Sequence, residues 1–363
     1  MKQPQHGYGT MDIVRWSLLV GVIVTAFSAG TALPDEATST CVARLIEDLE
    51  SNDADTRLHA IESLAALGTD AKPAVMVLTR ILENRQSPFR VAVANAFNQI
   101  LPAHVDMLAV FPDLRFAGKV PPVAYWPPAR RAKFAEATKL ANDETAKALE
   151  IALPALVNAL RDDDDYLREY SAMSLGACGS LAKNAVPALI QTLEDEKEPV
   201  RMRAVEALER IGPDAAEAVG PLMEYIKRHA KSYVDVRTPA IQALGAIGPA
   251  AKDAVPMLLN LLQDAREPRY PAAEALGKIG RGAENAIPAL VTALNDKEDL
   301  VRACAAEAIG KIGSRTPLLI AALEEAAKDE DSYVRMHAER ALKQLSSARE
   351  GRGTAYGEER KRN

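Results

Sequence analysis

The residue types that most often carry catalysis are sparse in this chain, and they do not form a spaced set. Five histidines fall in separate regions: His6, His59, His104, His229 and His337. Because the chain has no His-x-x-x-His or Cys-x-x-Cys spacing, it predicts no metal site. The acidic run Asp162–Asp165 lacks the spaced acids, glycine and distal glutamate of a calcium-binding loop, so we expect an ordinary turn there.

No nucleophile can be assigned from spacing either. A cysteine nucleophile needs a histidine as its base, and none lies near Cys178 in the sequence. We therefore interpret Cys178 as a small core residue. The glycines end helices and do not form a phosphate loop, and no Ser/His/Asp set emerges. The sequence thus predicts no enzyme active site and no cofactor.

The elements that would have to position a site are short helices in a repeated pattern. In residues 185–212, Pro187 opens a helix with an apolar stripe, and acids and Pro199 interrupt it. A second amphipathic helix follows, and we expect Gly212 to end it as a left-handed cap. The same unit recurs with a period of about 33 residues, which is typical of a solenoid.

Three columns of residues keep this register. First-helix prolines are Pro154, Pro187, Pro221, Pro256, Pro288 and Pro317. Second-helix arginines are Arg57, Arg90, Arg168, Arg201, Arg237, Arg269, Arg302 and Arg335. Closing glycines are Gly68, Gly179, Gly212, Gly248, Gly280 and Gly313. The pattern predicts eight helix pairs.

On these columns, residues 41–101 and 145–346 resemble the HEAT repeats, in particular the HEAT-like repeats of phycobilisome lyases. The resemblance implies an all-α solenoid with the second helices on its concave face. It also implies that the arginines, with aspartates such as Asp162, Asp195, Asp296 and Asp329, link neighbouring units as a ladder. In such a stack Cys41, Cys178 and Cys304 lie too far apart for a disulfide.

Four segments break or flank the repeats. Residues 1–32 have the charged, apolar and small-residue regions of a signal peptide; an uncleaved membrane anchor is the alternative. Units one and two occupy residues 33–101. Residues 102–144 form a Pro/aromatic insertion with an extra helix at 129–141, in which Tyr125 and Trp126 either anchor a partner or cover the stack. Residues 145–346 hold units three to eight, and 347–363 form a disordered tail.

Pairs of opposite charge recur in the second helices at a spacing of four residues. They are Glu206 with Arg210, Glu274 with Lys278, and Glu307 with Lys311. Each is interpretable as an ordinary ion pair on a solvated face, or as part of a track that binds a protein or peptide.

His59 and His337 occupy a neighbouring, semi-exposed column. Gly176, Gly245, Gly277 and Gly310 share another, where we expect close approach of helices.

The net charge of the chain limits the kinds of partner that it can bind. A net charge of −6 and a pI of about 5.6 argue against nucleic acid. We therefore expect a periplasmic or secreted HEAT-repeat scaffold for a protein or peptide partner, with membrane contact only if the leader is uncleaved. The alternative implied by the resemblance is a lyase-like or accessory enzyme.

Overall fold

The computed structural model describes residues 35–102, 128–230, 236–264 and 269–359, and it divides the chain into two compact units. The N-terminal unit, residues 1–181, contains α1 (Asp35–Asp48), α2 (Ala54–Leu67), α3 (Val75–Glu83), α4 (Arg90–Ile100), α5 (Pro128–Ala159) and α6 (Asp165–Ala177). The C-terminal unit, residues 182–363, contains α7 (Val186–Thr192), α8 (Glu198–Ile211), α9 (Val219–Arg228), α10 (Thr238–Ile247), α11 (Val255–Gln263), α12 (Arg269–Ile279), α13 (Ile287–Ala293), α14 (Asp299–Ile312), α15 (Pro317–Ala326) and α16 (Ser332–Glu359).

The described helices form eight pairs, which confirms the predicted count and the all-α repeat class. Odd-numbered helices are the first of each pair and even-numbered helices the second. In the C-terminal unit each first helix packs on its own second helix, and the second helices α8, α10, α12, α14 and α16 pack side by side. Leu208, Leu244, Leu276 and Ile309 recur at one position of these second helices and are fully buried. The repeat therefore buries its apolar stripe against its neighbours.

All six predicted closing glycines have positive φ, between 55° and 75°. Left-handed helical geometry was expected, and Gly313 adopts it (φ 75°, ψ 16°). At Gly212 and Gly248, ψ lies near −130°, which is the conformation of the first central residue of a type II′ turn. Their chains continue directly into 3₁₀ helices, Gly212–Ala218 and Gly248–Ala254. Glycine is required at these junctions because a Cβ opposes positive φ.

Two predicted helix boundaries were wrong. Pro154 does not open a helix but lies inside α5, which joins the expected extra helix at 129–141 to the first helix of the third pair. The tail from residue 347 was predicted to be disordered, yet α16 continues to Glu359. Extending an existing helix adds one hydrogen bond per residue without a new nucleation cost, which local composition does not reveal.

The glycine column in the second helices does permit close approach. A Cβ on Gly245 would lie 3.0 Å from the Cα of Ala275, one on Gly277 2.7 Å from the Cα of Ala308, and one on Gly310 2.9 Å from the Cα of Ala341. Each glycine thus faces an alanine of the next second helix. The helix-propensity cost of glycine is accepted because any side chain would force the backbones apart.

The arginine column forms the expected ladder. Arg90 binds Asp162 of the following pair (Nη2–Oδ2 2.7 Å), Arg269 binds Asp296, and Arg302 binds Asp329 through two contacts of 2.8 and 2.9 Å.

Within its own pair an arginine instead donates to a backbone carbonyl, as Arg168 does to Asp162 (2.7 Å) and Arg335 does to Asp329 (2.7 Å). Each such aspartate therefore serves two arginines, one through its carboxylate and one through its carbonyl. At the first junction Asn84 occupies the aspartate position, and Arg57 lies over the Phe89 ring at 5.0 Å.

Helix α16 has a polar side where the earlier second helices are apolar. Glu339 stands at the position of the buried Ala273 and Ala306, and Lys343 at the position of Gly277 and Gly310; both are exposed. Charged side chains at these contact positions are typical of a capping repeat.

Candidate protein-binding surface

The predicted charged residues lie on the side of the second helices that faces solvent in the C-terminal unit, which we call the outward side. Glu274 binds Lys278 (Oε1–Nζ 2.9 Å) on α12, and Glu307 binds Lys311 (2.8 Å) on α14. These four side chains are 26–35% exposed. They are thus open to a partner on one side and supported by the helix layer on the other. The two predicted pairings are confirmed.

The third predicted pair was wrong in its partner. Glu206 binds Arg203 (Oε2–Nη1 2.9 Å), one turn earlier in α8, while Arg210 is exposed in the last turn. Both (i, i+3) and (i, i+4) neighbours of a glutamate lie on the same helix face, so spacing could not choose between them. Arg210 interacts favourably with the helix C-terminus, where the macrodipole is negative. We call Arg203, Glu206, Glu274, Lys278, Glu307 and Lys311 the charged row.

His337 of α16 lies beneath the end of this row. The sequence predicts that His59 and His337 share a semi-exposed position. His59 is exposed, but His337 is buried, with only 6% of its surface exposed. Its Nδ1 lies 3.4 Å from Glu307 Oε2, and its ring meets Tyr333 edge-on at 4.4 Å. Burial raises the pKa of Glu307, but Lys311, His337 and Arg340 together bring it below its usual value. Glu307 is therefore a carboxylate at neutral pH.

The cysteines do not form a reactive site. Cys41 and Cys178 are buried and Cys304 is partly exposed, and all three are free thiols. Burial raises the pKa of Cys178 to about 12, and that of Cys304 to about 12, with Glu274 and Glu307 adding to the effect at Cys304. Because the thiolate is the nucleophile, both are inert at neutral pH. Cys178 donates to the Ser174 carbonyl (3.3 Å) as a small core residue, as predicted.

Sequence reasoning missed three exposed apolar side chains next to the charged row. Leu300 is 40% exposed, and Tyr333 and Met336 are each 49% exposed. Apolar residues in an amphipathic repeat are assigned to the core by default, so these were not singled out. A signal was available, because Leu300 and Tyr333 each stand two residues before a ladder arginine. We call Leu300, Tyr333 and Met336 the apolar row.

Sequence models of protein families identify the repeat. A model of HEAT repeats matches residues 153–234 and 266–343, and the PBS lyase HEAT-like repeat matches residues 236–264 between them. The chain is a HEAT-repeat protein. No curated protein matches it.

Three of the solved structures that are similar to this HEAT-repeat protein are designed or engineered proteins. One engineered protein from a structural genomics consortium is 22% identical, with a TM-score of 0.44, and the match covers 93% of this chain and 97% of the other. A second engineered consortium protein is 19% identical over 84% and 96%, with a TM-score of 0.33. A designed armadillo repeat protein in complex with the peptide (KR)4 is 18% identical over 75% and 99%, with a TM-score of 0.37. These distant likenesses concern the fold alone.

Some of the features predicted for this HEAT-repeat protein lie in residues that the structure does not describe. Tyr125, Trp126 and the leader at 1–32 fall outside the described residues. Within the described ranges, His, Cys, Asp and Glu side chains nowhere gather into a group that could hold a metal ion. Across the same ranges, no helix combines the length and apolar character needed to cross a membrane.

Proposed function

We propose that this HEAT-repeat protein is a non-enzymatic scaffold that binds a protein or peptide through the outward side of its second helices in the C-terminal unit. The observation that carries the proposal is the charged row. Its ion pairs on α12 and α14 stand at the same helix positions, and the pair on α8 uses a cation on the preceding turn. All three pairs are partly exposed and stand on a layer of closely packed helices. A rigid support of this kind preorganises side chains for a partner, which reduces the entropy lost on binding.

The recurrence matters more than any single pair. One exposed ion pair contributes little to stability, roughly 0–1 kcal/mol, so stability alone gives little reason for repeating it. The neighbouring second helices α12 and α14 lie about 8–10 Å apart, so an extended chain can reach from the ion pair on one to the ion pair on the other. Alternating charge along such a row favours partners with complementary charge and discriminates against others.

A charge-reversal experiment tests this surface. Glu274→Lys with Glu307→Lys changes two carboxylates of the charged row, and Glu324→Lys with Glu325→Lys makes the same change on exposed positions of α15. Residues 33–363 of each variant would capture partners from an envelope extract, beside a form lacking 102–144. We expect a protein captured by the wild type and by the α15 variant to be lost from the charged-row variant. Equal capture by both variants would contradict the proposal, and loss only without 102–144 would move the interface to the insertion.

We propose further that the scaffold works outside the cytoplasm, as a periplasmic or secreted protein. The order of charged, apolar and small residues in 1–32 supports this. Mass measurement of the full chain expressed with a C-terminal tag should give a mature form that begins at Leu33. A form that keeps its leader and sediments with membranes would indicate an anchor instead.

A lyase-like role is the second candidate, because one repeat matches the PBS lyase HEAT-like repeat. That role would require binding of a tetrapyrrole. Visible absorbance that remains with the protein after incubation with a bilin and gel filtration would support it, and colourless protein would exclude it.

A further inference from the structure

The apolar row lies at one end of the outward side of the second helices. Leu300 and Tyr333 are the second residues of α14 and α16, and Met336 follows Tyr333 by one helical turn. Contact with the buried His337 ring holds the Tyr333 ring in place. Neighbouring exposed apolar side chains on the surface of a folded protein mark a candidate interaction site, and tyrosine is among the residues enriched at the energetic centre of interfaces.

An acidic edge borders this row. An open cleft beside it is lined by Lys297, Glu298, Asp299, Arg302, Glu330 and Asp331. Two of these charges are satisfied within the protein, because Glu298 binds Arg269 (2.7 Å) and Arg302 binds Asp329.

The other three carboxylates of the cleft are those of Asp299, Glu330 and Asp331. One oxygen of Asp331 accepts from the backbone N–H groups of Tyr333 and Val334, and one oxygen of Asp299 accepts from that of Leu300. Two cations lie near these three carboxylates. Lys297 also lines the cleft, and Arg335 in the first turn of α16 donates to the Glu330 carbonyl. The edge therefore keeps a negative excess. It would attract a cationic segment and repel an acidic one.

Helix spacing fixes the pattern of apolar residues that could use the row. The second helices α14 and α16 are neighbours with axes about 8–10 Å apart, and Leu300 and Tyr333 occupy the same position on the two helices. A segment in the polyproline II conformation has three residues per turn and advances about 3.1 Å per residue, so its residues i and i+3 lie on the same side about 9 Å apart. Apolar side chains at i and i+3 would meet the row.

We infer that the apolar row and its acidic edge bind a segment in the polyproline II conformation that has two apolar residues three positions apart and basic residues between and beside them. This inference rests on the proposed function and names the chemistry of the partner. The apolar side chains pack on Leu300, Tyr333 and Met336. The basic side chains turn toward Asp299, Glu330 and Asp331.

Fluorescence anisotropy with three labelled peptides tests the inference on residues 33–363. The probe is Gly-Leu-Lys-Arg-Leu-Lys-Gly; one control replaces every basic residue by glutamate and the other replaces both leucines by serine. We expect the probe to bind at least about tenfold more tightly than either control at low salt, and to weaken as salt screens the acidic edge.

Matched variants locate the binding. Leu300→Ser with Tyr333→Ser should weaken probe binding about tenfold. Leu318→Ser with Tyr166→Ser, which changes the same residue types at exposed positions away from the row, should leave it unchanged. Equal binding by both variants, preference for the acidic peptide, or no binding of the probe would overturn the inference. A partner that is captured through the charged row while the probe fails to bind would leave the proposed function intact.

Discussion

The glycine at position 277 provides the sharpest test of how the C-terminal unit is packed. In an isolated helix, Gly→Ala is stabilising by about 1 kcal/mol, because alanine has less backbone entropy to lose. In the folded unit the new Cβ would lie 2.7 Å from the Cα of Ala308 and 3.0 Å from its Cβ. Carbon atoms in contact are about 3.5–4.0 Å apart, so α12 and α14 would have to separate.

Overpacking of this kind costs about 1–3 kcal/mol, and the upper half of the range applies because the nearest atom belongs to the backbone. After the propensity gain is subtracted, Gly277→Ala should destabilise the protein by about 1–2 kcal/mol. Gly220→Ala in α9 is the matched control, since a Cβ there meets nothing within 4 Å. It should stabilise by about 0.5–1 kcal/mol.

Urea unfolding followed by far-UV circular dichroism measures both changes. Equal slopes of the unfolding transitions would confirm that the variants differ in stability and not in the surface that unfolds. Gly245→Ala should be less harmful than Gly277→Ala, because its contacts are longer and one belongs to the flexible Lys278 chain. If Gly277→Ala were as stabilising as Gly220→Ala, the close approach of α12 and α14 would be wrong.

Three further predictions concern the ladder, the junctions and the thiols. Asp329→Ala should destabilise by about 1–2 kcal/mol at neutral pH because it leaves Arg302 unpaired, whereas Glu325→Ala should have no measurable effect in the same urea assay. Hydrogen bonding from Arg302 lowers the pKa of Asp329, so the Asp329→Ala deficit should be complete above about pH 4 and shrink as the pH falls through the lowered folded value. Gly212→Ala should destabilise by about 1–3 kcal/mol because alanine resists its φ of 69° and ψ of −130°, and a wild-type urea midpoint would contradict that geometry. Cys178 and Cys304, with pKa values raised to about 12, should react with a thiol reagent at pH 8 far more slowly in the native protein than in urea, and rapid native labelling would contradict these raised pKa values.

The number of helix pairs and the glycines at their junctions could be predicted from the sequence. Gly212 and its counterparts could be found because positive φ is a local demand that one residue type meets, and the 33-residue recurrence exposed them. The glycine column was likewise readable, since a glycine such as Gly277 inside a helix needs a packing reason. The ladder followed from a resemblance, and the aspartates that form its ion pairs are Asp162, Asp296 and Asp329.

Tertiary structure decided what local pattern leaves open. Glu206 had two cationic neighbours on one face, and only side-chain placement selects Arg203. Pro154 and the continuation of α16 past residue 347 depend on whether a helix already exists to be extended, which composition does not encode. Leu300, Tyr333 and Met336 are apolar like their buried neighbours, and their exposure is settled by where the next helix lies. A sequence lists which side chains are apolar or charged; packing determines which of them remain available to a partner.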